Sequence, residues 1–150
     1  MEKKILFVCT GNTCRSSMAE ALARAMAEER GLSGLTFISA GTMAWPGEKA
    51  SHQAIEVLAD QGIELSHHRA TLLSPERIAE ADLVLTMTEN HRQQIVSKCP
   101  EATDKVFTLG AYAELPLDVS DPYGSSVETY RNCAGELQHM ISKALDKLSE

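Results

Sequence analysis

The stretch from Ile5 to Arg24, ILFVCTGNTCRSSMAEALAR, constrains this chain more than any other. Its opening residues are apolar and include Phe7 and Val8, a run too short for a helix and suited to a buried strand, Ile5 to Val8. From Ser16 onward Met18, Leu22, Ala25 and Met26 fall on one helical face while Glu20, Arg24 and Glu28 fall on another. That spacing predicts a helix to about Arg30, stopped by Gly31. Between strand and helix lies CTGNTCR. A helix start supplies unpaired N–H groups and a positive dipole end, Arg15 supplies a planar cationic fork, and Cys9 sits where both favour a sulfur anion. The loop reads as a cradle for a tetrahedral oxyanion that carries its own nucleophile.

The remaining chain alternates strand and helix signals. Leu35 to Ser39 predicts a second strand, followed by a turn-rich loop, SAGTMAWPGEKAS, that holds the only tryptophan. A helix over about Ala50 to Gln61 follows, closed by Gly62, and then the loop GIELSHHRATLLS. Ser74 before Pro75 marks a short helix to about Glu80. Leu83 to Met87 predicts a third strand, Thr88 caps a helix from Glu89 to Lys98, and Val106 to Leu109 predicts a fourth strand. Gly110 to Ser125 has no regular pattern, and its LPLDVSDPYG segment favours a rigid loop. Ser125 and Glu128 have capping-box spacing before a last helix. Its stripe of Val127, Tyr130, Ala134, Leu137, Ile141, Ala144 and Leu148 should pack on the sheet.

This alternation predicts one domain, residues 1–150, built as an open parallel sheet with helices on both faces and right-handed crossovers. Ligands of such sheets gather at the carboxyl ends of the strands, where strand order reverses. Cys9 lies there, and the loops after the other strands should bring Trp45 and Asp121 towards it.

Charge and composition narrow the function. With 150 residues and a formal charge of -7, neither nucleic acid nor an anionic membrane is an expected partner. MEKKILFVCTG lacks an export-type apolar core and no run reaches membrane-spanning length, so a cytoplasmic, monomeric protein is expected. The cysteines at 9, 14, 99 and 133 are then expected as thiols. No His, Cys or acidic cluster has zinc-like spacing, and neither a Walker lysine nor a dinucleotide fingerprint follows the first strand, so no metal or cofactor is expected.

Within the loop, Gly11 and Asn12 tolerate backbone conformations that other residues resist, which lets Thr10, Gly11, Asn12, Thr13 and Cys14 wrap N–H groups around an oxyanion. Cys9 can attack phosphorus while Arg15 holds equatorial oxygens. Ser16 can hydrogen-bond the thiolate and improve it as a leaving group. A buried, inert thiol is the ordinary alternative for Cys9, and the Gly, Asn and Ser context counts against it.

VCTGNTCRSSMAE resembles the signature of the low-molecular-weight protein tyrosine phosphatases, and SAGT at 39–42, GIELSHHRA at 62–70 and DPYG at 121–124 resemble further landmarks in the same order. The resemblance implies a flavodoxin-like four-stranded sheet of order 2-1-3-4. It further implies Cys9 as nucleophile, Arg15 as phosphate ligand and Asp121 as general acid and then base. Asn12, Ser16, Ser39 and His68 would hold the loop. Asp121 precedes Pro122, whose ring favours an extended Asp, a conformation suited to proton delivery from a loop.

Thr13 separates two substrate classes. Tyrosine-specific relatives carry a larger aliphatic residue here, whereas members resembling protein-arginine phosphatases carry threonine. Thr71, where tyrosine-specific relatives often have arginine, agrees. The expected function is hydrolysis of phosphoarginine in proteins through a phosphocysteine intermediate, with phosphotyrosine as the alternative. Tyr123 could wall the pocket, as could Trp45. Ser17 replaces the proline usual after the loop serine, and a reversible Cys9–Cys14 disulfide is conceivable. An arsenate reductase would need a closely spaced second cysteine pair, and a noncatalytic phosphate-binding module would not need Asp121.

Overall fold

The structure is a computed structural model that describes residues 2–115 and 117–149. Met1, Glu150 and Pro116 of the LPLDVSDPYG segment lie outside the described residues. Four parallel strands, β1 (Lys3–Cys9), β2 (Leu35–Gly41), β3 (Leu83–Thr86) and β4 (Val106–Thr108), form one sheet of order β2-β1-β3-β4. The chain leaves β1 for a neighbour on one side and returns from β2 to a neighbour on the other. The reversal of strand order therefore falls at the end of β1, at Cys9.

Strand periodicity divides the core between the two faces. Ile5, Phe7 and Cys9 face a layer made by α1 (Arg15–Glu29), α2 (His52–Ala59) and α6 (Val127–Leu148), whereas Leu6 and Val8 face α3 (Pro75–Glu80) and α4 (Glu89–Lys98). Both faces of β1 are dry, which explains its unbroken apolar run. A further short helix, α5 (Leu109–Tyr112), follows β4.

The predicted caps at Ser74 and Thr88 form, their hydroxyls accepting from the Arg77 and His91 N–H groups. Gly31 ends α1 at φ 71, and the Leu32 N–H reaches back to the Ala27 carbonyl. Three local expectations differ. Ser126, not Ser125, caps α6 and accepts from Thr129, so the Ser125–Glu128 capping box does not form. The stripe of α6 packs chiefly against α1 and α2 rather than directly on strands. Thr108 ends β4 one residue early by capping α5, which occupies part of the predicted loop. A 3₁₀ turn, Pro100–Lys105, joins α4 to β4. Among the described residues no helix is long and apolar enough to cross a membrane.

Candidate active site

The loop after β1 is turned inside out relative to ordinary surface loops. Its carbonyls face outward: those of Cys9, Thr10 and Thr13 accept from the backbone N–H groups of Thr42, Met43 and Ser51, and that of Asn12 from His68 Nε2. α1 begins at Arg15 with no side-chain cap on its free N–H groups. Outward carbonyls and an uncapped helix start leave the N–H groups of this segment for an anion.

Asn12 holds that shape. It is the loop residue in the left-handed region, at φ 60, and Gly11 does not share it, so the expected special role of Gly11 is not realised. Its fully buried side chain uses every polar atom: Nδ2 donates to Ser16 Oγ at 2.8 Å and Ser39 Oγ at 2.9 Å, and Oδ1 accepts from the Thr71 N–H at 2.9 Å. Because a carbonyl only accepts, His68 Nε2 carries the hydrogen of its 2.7 Å bond to the Asn12 oxygen. Ser39 passes its own hydrogen to Glu20 at 2.6 Å, and Glu20 pairs with Arg24 at 2.6 Å.

Cys9 Sγ sits at the floor of the cleft, 2.9 Å from Ser16 Oγ and 3.3 Å from the Asn12 nitrogen, whose N–H it accepts. Ser16 Oγ accepts from Asn12, and its own hydrogen has the sulfur at 2.9 Å as a nearer partner than the Ala40 carbonyl at 3.5 Å. Two donors thus converge where a thiolate would carry its charge.

Arg15 is buried and bridges two loops. Nη1 donates to the Val119 carbonyl at 3.0 Å, and Nη2 lies 3.5 Å from Asp121 Oδ2. The other oxygen of Asp121 accepts the Tyr123 N–H at 3.0 Å, and the Val119 N–H donates to the Met87 carbonyl at the end of β3. The acid-bearing segment is thereby tied to the sheet edge.

A cavity of about 260 Å³ opens above Cys9, with Thr10, Gly11, Thr13 and Arg15 around the sulfur and Glu48, Asp121 and Tyr123 at the mouth. Trp45 is 78% exposed and does not line it; Glu48 is what the loop after β2 contributes. Cys14 turns its sulfur towards Tyr130 Oη, 3.1 Å away, and Ser51. Burial first, then the Cys14 contact, raises the Tyr130 pKa. All four cysteines are free thiols; Cys99 lies in the core on one face of the sheet and Cys133 on the other, so they form no dithiol. Burial, reinforced by Glu136, pushes Cys133 up to about 12. Ser17 donates to the Cys14 carbonyl at 2.9 Å, a tie that the usual proline could not make. Among the described residues no cluster of three or more His, Cys, Asp or Glu could hold a metal.

Sequence reasoning finds the local members of this site and misses Glu20, further along the helix that carries Arg15, and Glu48, His91 and Tyr130, which reach it from distant elements. Thr88 capping of α4 was the one legible signal near His91.

A parallel sheet with a cysteine-to-arginine oxyanion loop at its reversal point defines a cysteine phosphatase architecture. The sequence model of the family described as low molecular weight phosphotyrosine protein phosphatase matches residues 4–150, and the chain belongs to this family. A protein-arginine-phosphatase of Geobacillus stearothermophilus is 44% identical over 99% of this chain and 97% of its own. A probable low molecular weight protein-tyrosine-phosphatase, EpsP, of Ralstonia nicotianae is 40% identical over 97% and 93%. Among solved structures, a YwlE mutant from Bacillus subtilis superposes with TM-score 0.95 at 41% identity, covering 99% of this chain and 100% of that one. A YwlE arginine phosphatase with a phosphorylated active-site serine gives TM-score 0.94 at 42% identity, covering 98% and 96%.

Proposed function

We propose that this chain hydrolyses phosphoarginine in proteins through a phosphocysteine intermediate. The observation that carries the reading is the convergence of Cys9, Arg15 and Asp121 on one cavity whose wall includes Thr13 and whose mouth carries Glu48. In the first step Cys9 sulfur attacks phosphorus and the P–N bond breaks. Asp121 protonates the departing guanidine nitrogen, while Arg15 and the loop N–H groups take the charge on the equatorial oxygens. In the second step water attacks phosphocysteine, Asp121 accepts its proton, the P–S bond breaks and phosphate leaves. Ser16 and the Asn12 N–H stabilise the released sulfur anion, which makes it a competent leaving group.

Three features support arginine over tyrosine. Thr13 presents a hydroxyl and a smaller side chain where a larger aliphatic group would narrow the wall. Glu48 brings a carboxylate to the mouth, a field that favours a guanidinium over a neutral phenyl ring. Whole-length relatives at 44% and 43% identity are named protein-arginine-phosphatases. One feature favours phosphotyrosine: Tyr123, 73% exposed at the mouth, offers a ring face for stacking.

Phosphoarginine and phosphotyrosine peptides of matched sequence decide between them. The native chain should show the higher kcat/KM on phosphoarginine, Cys9→Ser should abolish turnover of both, and Thr13→Ile should move the ratio towards phosphotyrosine by about tenfold or more. A native preference for phosphotyrosine would overturn the arginine reading. An unchanged ratio in Thr13→Ile would remove Thr13 as the selector.

A further inference from the structure

His91 takes no part in these steps, yet its ring is built into the wall of the oxyanion loop. It is the third residue of α4, 3% exposed, and it spans two hydroxyls: Nε2 lies 2.8 Å from Thr10 Oγ1 and Nδ1 lies 2.9 Å from Thr88 Oγ1. Thr10 follows the nucleophile directly and lines the cavity.

Both tautomers can make these two bonds, and counting hydrogens favours one direction. Thr88 Oγ1 already accepts the His91 backbone N–H at 3.2 Å. Its single hydrogen has one partner among the described residues, His91 Nδ1. If Thr88 donates to Nδ1, the neutral ring carries its hydrogen on Nε2 and donates it to Thr10 Oγ1. Thr10, having accepted, must send its own hydrogen elsewhere, and among the described residues Oγ1 has no other partner. The open direction is the cavity. In the opposite tautomer Thr10 would donate to His91 and offer a phosphoryl oxygen only lone pairs.

The ring is neutral at ordinary pH, which makes the tautomer a real choice. Burial and the Arg15 charge pull His91 down to about 4, against the opposing pull of Asp118 and Asp121.

We propose that His91 is a positioning residue which, as the Nε2–H tautomer, turns the Thr10 hydroxyl into the cradle as a side-chain donor to a phosphoryl oxygen. The relay rests on the phosphatase reading of the cleft and holds for either phosphorylated residue. Its value is preorganisation. A free hydroxyl must be oriented during the reaction, whereas one fixed from behind by an imidazole stands ready.

Two measurements on the full chain test it. Long-range ¹H–¹⁵N correlation of the His91 ring should show hydrogen on Nε2 and a bare Nδ1; the reverse pattern overturns the proposal whatever the variants do. In kinetics with p-nitrophenyl phosphate, Thr10→Val and His91→Asn should each lower kcat/KM by about 10- to 100-fold, the scale of a lost hydrogen bond to a charged group. His91→Gln, whose amide nitrogen reaches the place of Nε2, should recover most of the loss. The double variant Thr10→Val/His91→Asn should be no slower than Thr10→Val alone, because the relay ends in the missing hydroxyl. Additive losses, or no loss in Thr10→Val, would refute the relay in an active enzyme. A native chain that hydrolyses no aryl phosphate would refute the phosphatase reading itself.

Discussion

Gly41, the last residue of β2, pairs with Cys9, and its replacement by alanine tests how tightly the sheet edge grips the oxyanion loop. A Cβ at this position stands 2.4 Å from the Thr10 carbonyl oxygen and 2.9 Å from the Asn12 nitrogen. Both are backbone atoms, and the Thr10 carbonyl is committed to the Met43 N–H at 2.9 Å. Carbon and carbonyl oxygen meet in ordinary contact at about 3.3 Å, so the loop or β2 must retreat by roughly 0.9 Å. The loop has little freedom to do so, because Asn12 is bonded at once to Ser16, Ser39, Thr71 and His68. A misplacement near 1 Å at reacting atoms costs on the order of 100-fold in rate, and overpacking costs about 1–3 kcal/mol. Gly41→Ala should therefore lower kcat/KM for p-nitrophenyl phosphate about 100-fold, with a lower urea midpoint. At Gly11 the nearest atom to an added Cβ is Thr13 Oγ1 at 3.6 Å, an ordinary contact, so Gly11→Ala should leave the midpoint nearly unchanged. A Gly41→Ala enzyme within about threefold of native activity, its midpoint unmoved, would refute the rigid contact between β2 and the loop.

Other expectations concern folding stability rather than turnover. Gly135 lies inside α6 with nothing near an added Cβ, so Gly135→Ala should raise stability by about 0.5–1 kcal/mol in urea titrations. Removing the Tyr130 hydroxyl in Tyr130→Phe should cost about 1 kcal/mol through the lost bond to Cys14, and an unchanged midpoint would show that the 3.1 Å contact contributes nothing. His91, held at about 4 in the folded chain against an ordinary 6.5, makes the unfolded chain the better proton binder between those values. Its contribution is therefore flat above pH 6.5 and lost as pH falls towards 4, by up to roughly 3 kcal/mol. Stability measured at pH 7, 5.5 and 4 should decline less steeply in His91→Gln than in the native chain, and parallel curves would contradict the depressed value.

The fold was legible because its signals are local and periodic. The doubly buried run of β1, the caps at Ser74 and Thr88 and the glycine stop at Gly31 each express their physics within a few residues. The misses have equally local causes. Ser125 and Ser126 are chemically identical, and only the path of the preceding loop decides which one caps α6. Four residues of α5 are too few to show a helical period. In the site, Cys9, Arg15 and Ser16 share one loop and announce themselves, whereas the Val119 carbonyl that receives Arg15 leaves no side-chain trace. Glu48 and His91 look like ordinary loop or helix residues until the sheet brings their elements together, and Glu20, on the helix of Arg15 itself, looks like a residue of its polar face. Trp45 misleads for the opposite reason: its rarity draws notice, and the chain leaves it in solvent.

Arg15 has one guanidinium and two sets of clients. It holds the carbonyl of Val119, faces Asp121 and, in the proposed reaction, is also the fork offered to a phosphoryl group. Ligand affinity and the docking of the acid-bearing segment are therefore thermodynamically linked through this side chain, and the linkage is reciprocal. A substitution at Val119 that undocks the segment completely without touching the cleft should change oxyanion affinity by the same factor by which a bound oxyanion changes the segment's docking equilibrium, and a milder one by less. The arginine works as a balance beam between two binding events, and its set point is written in the segment it clasps as much as in the loop that bears it.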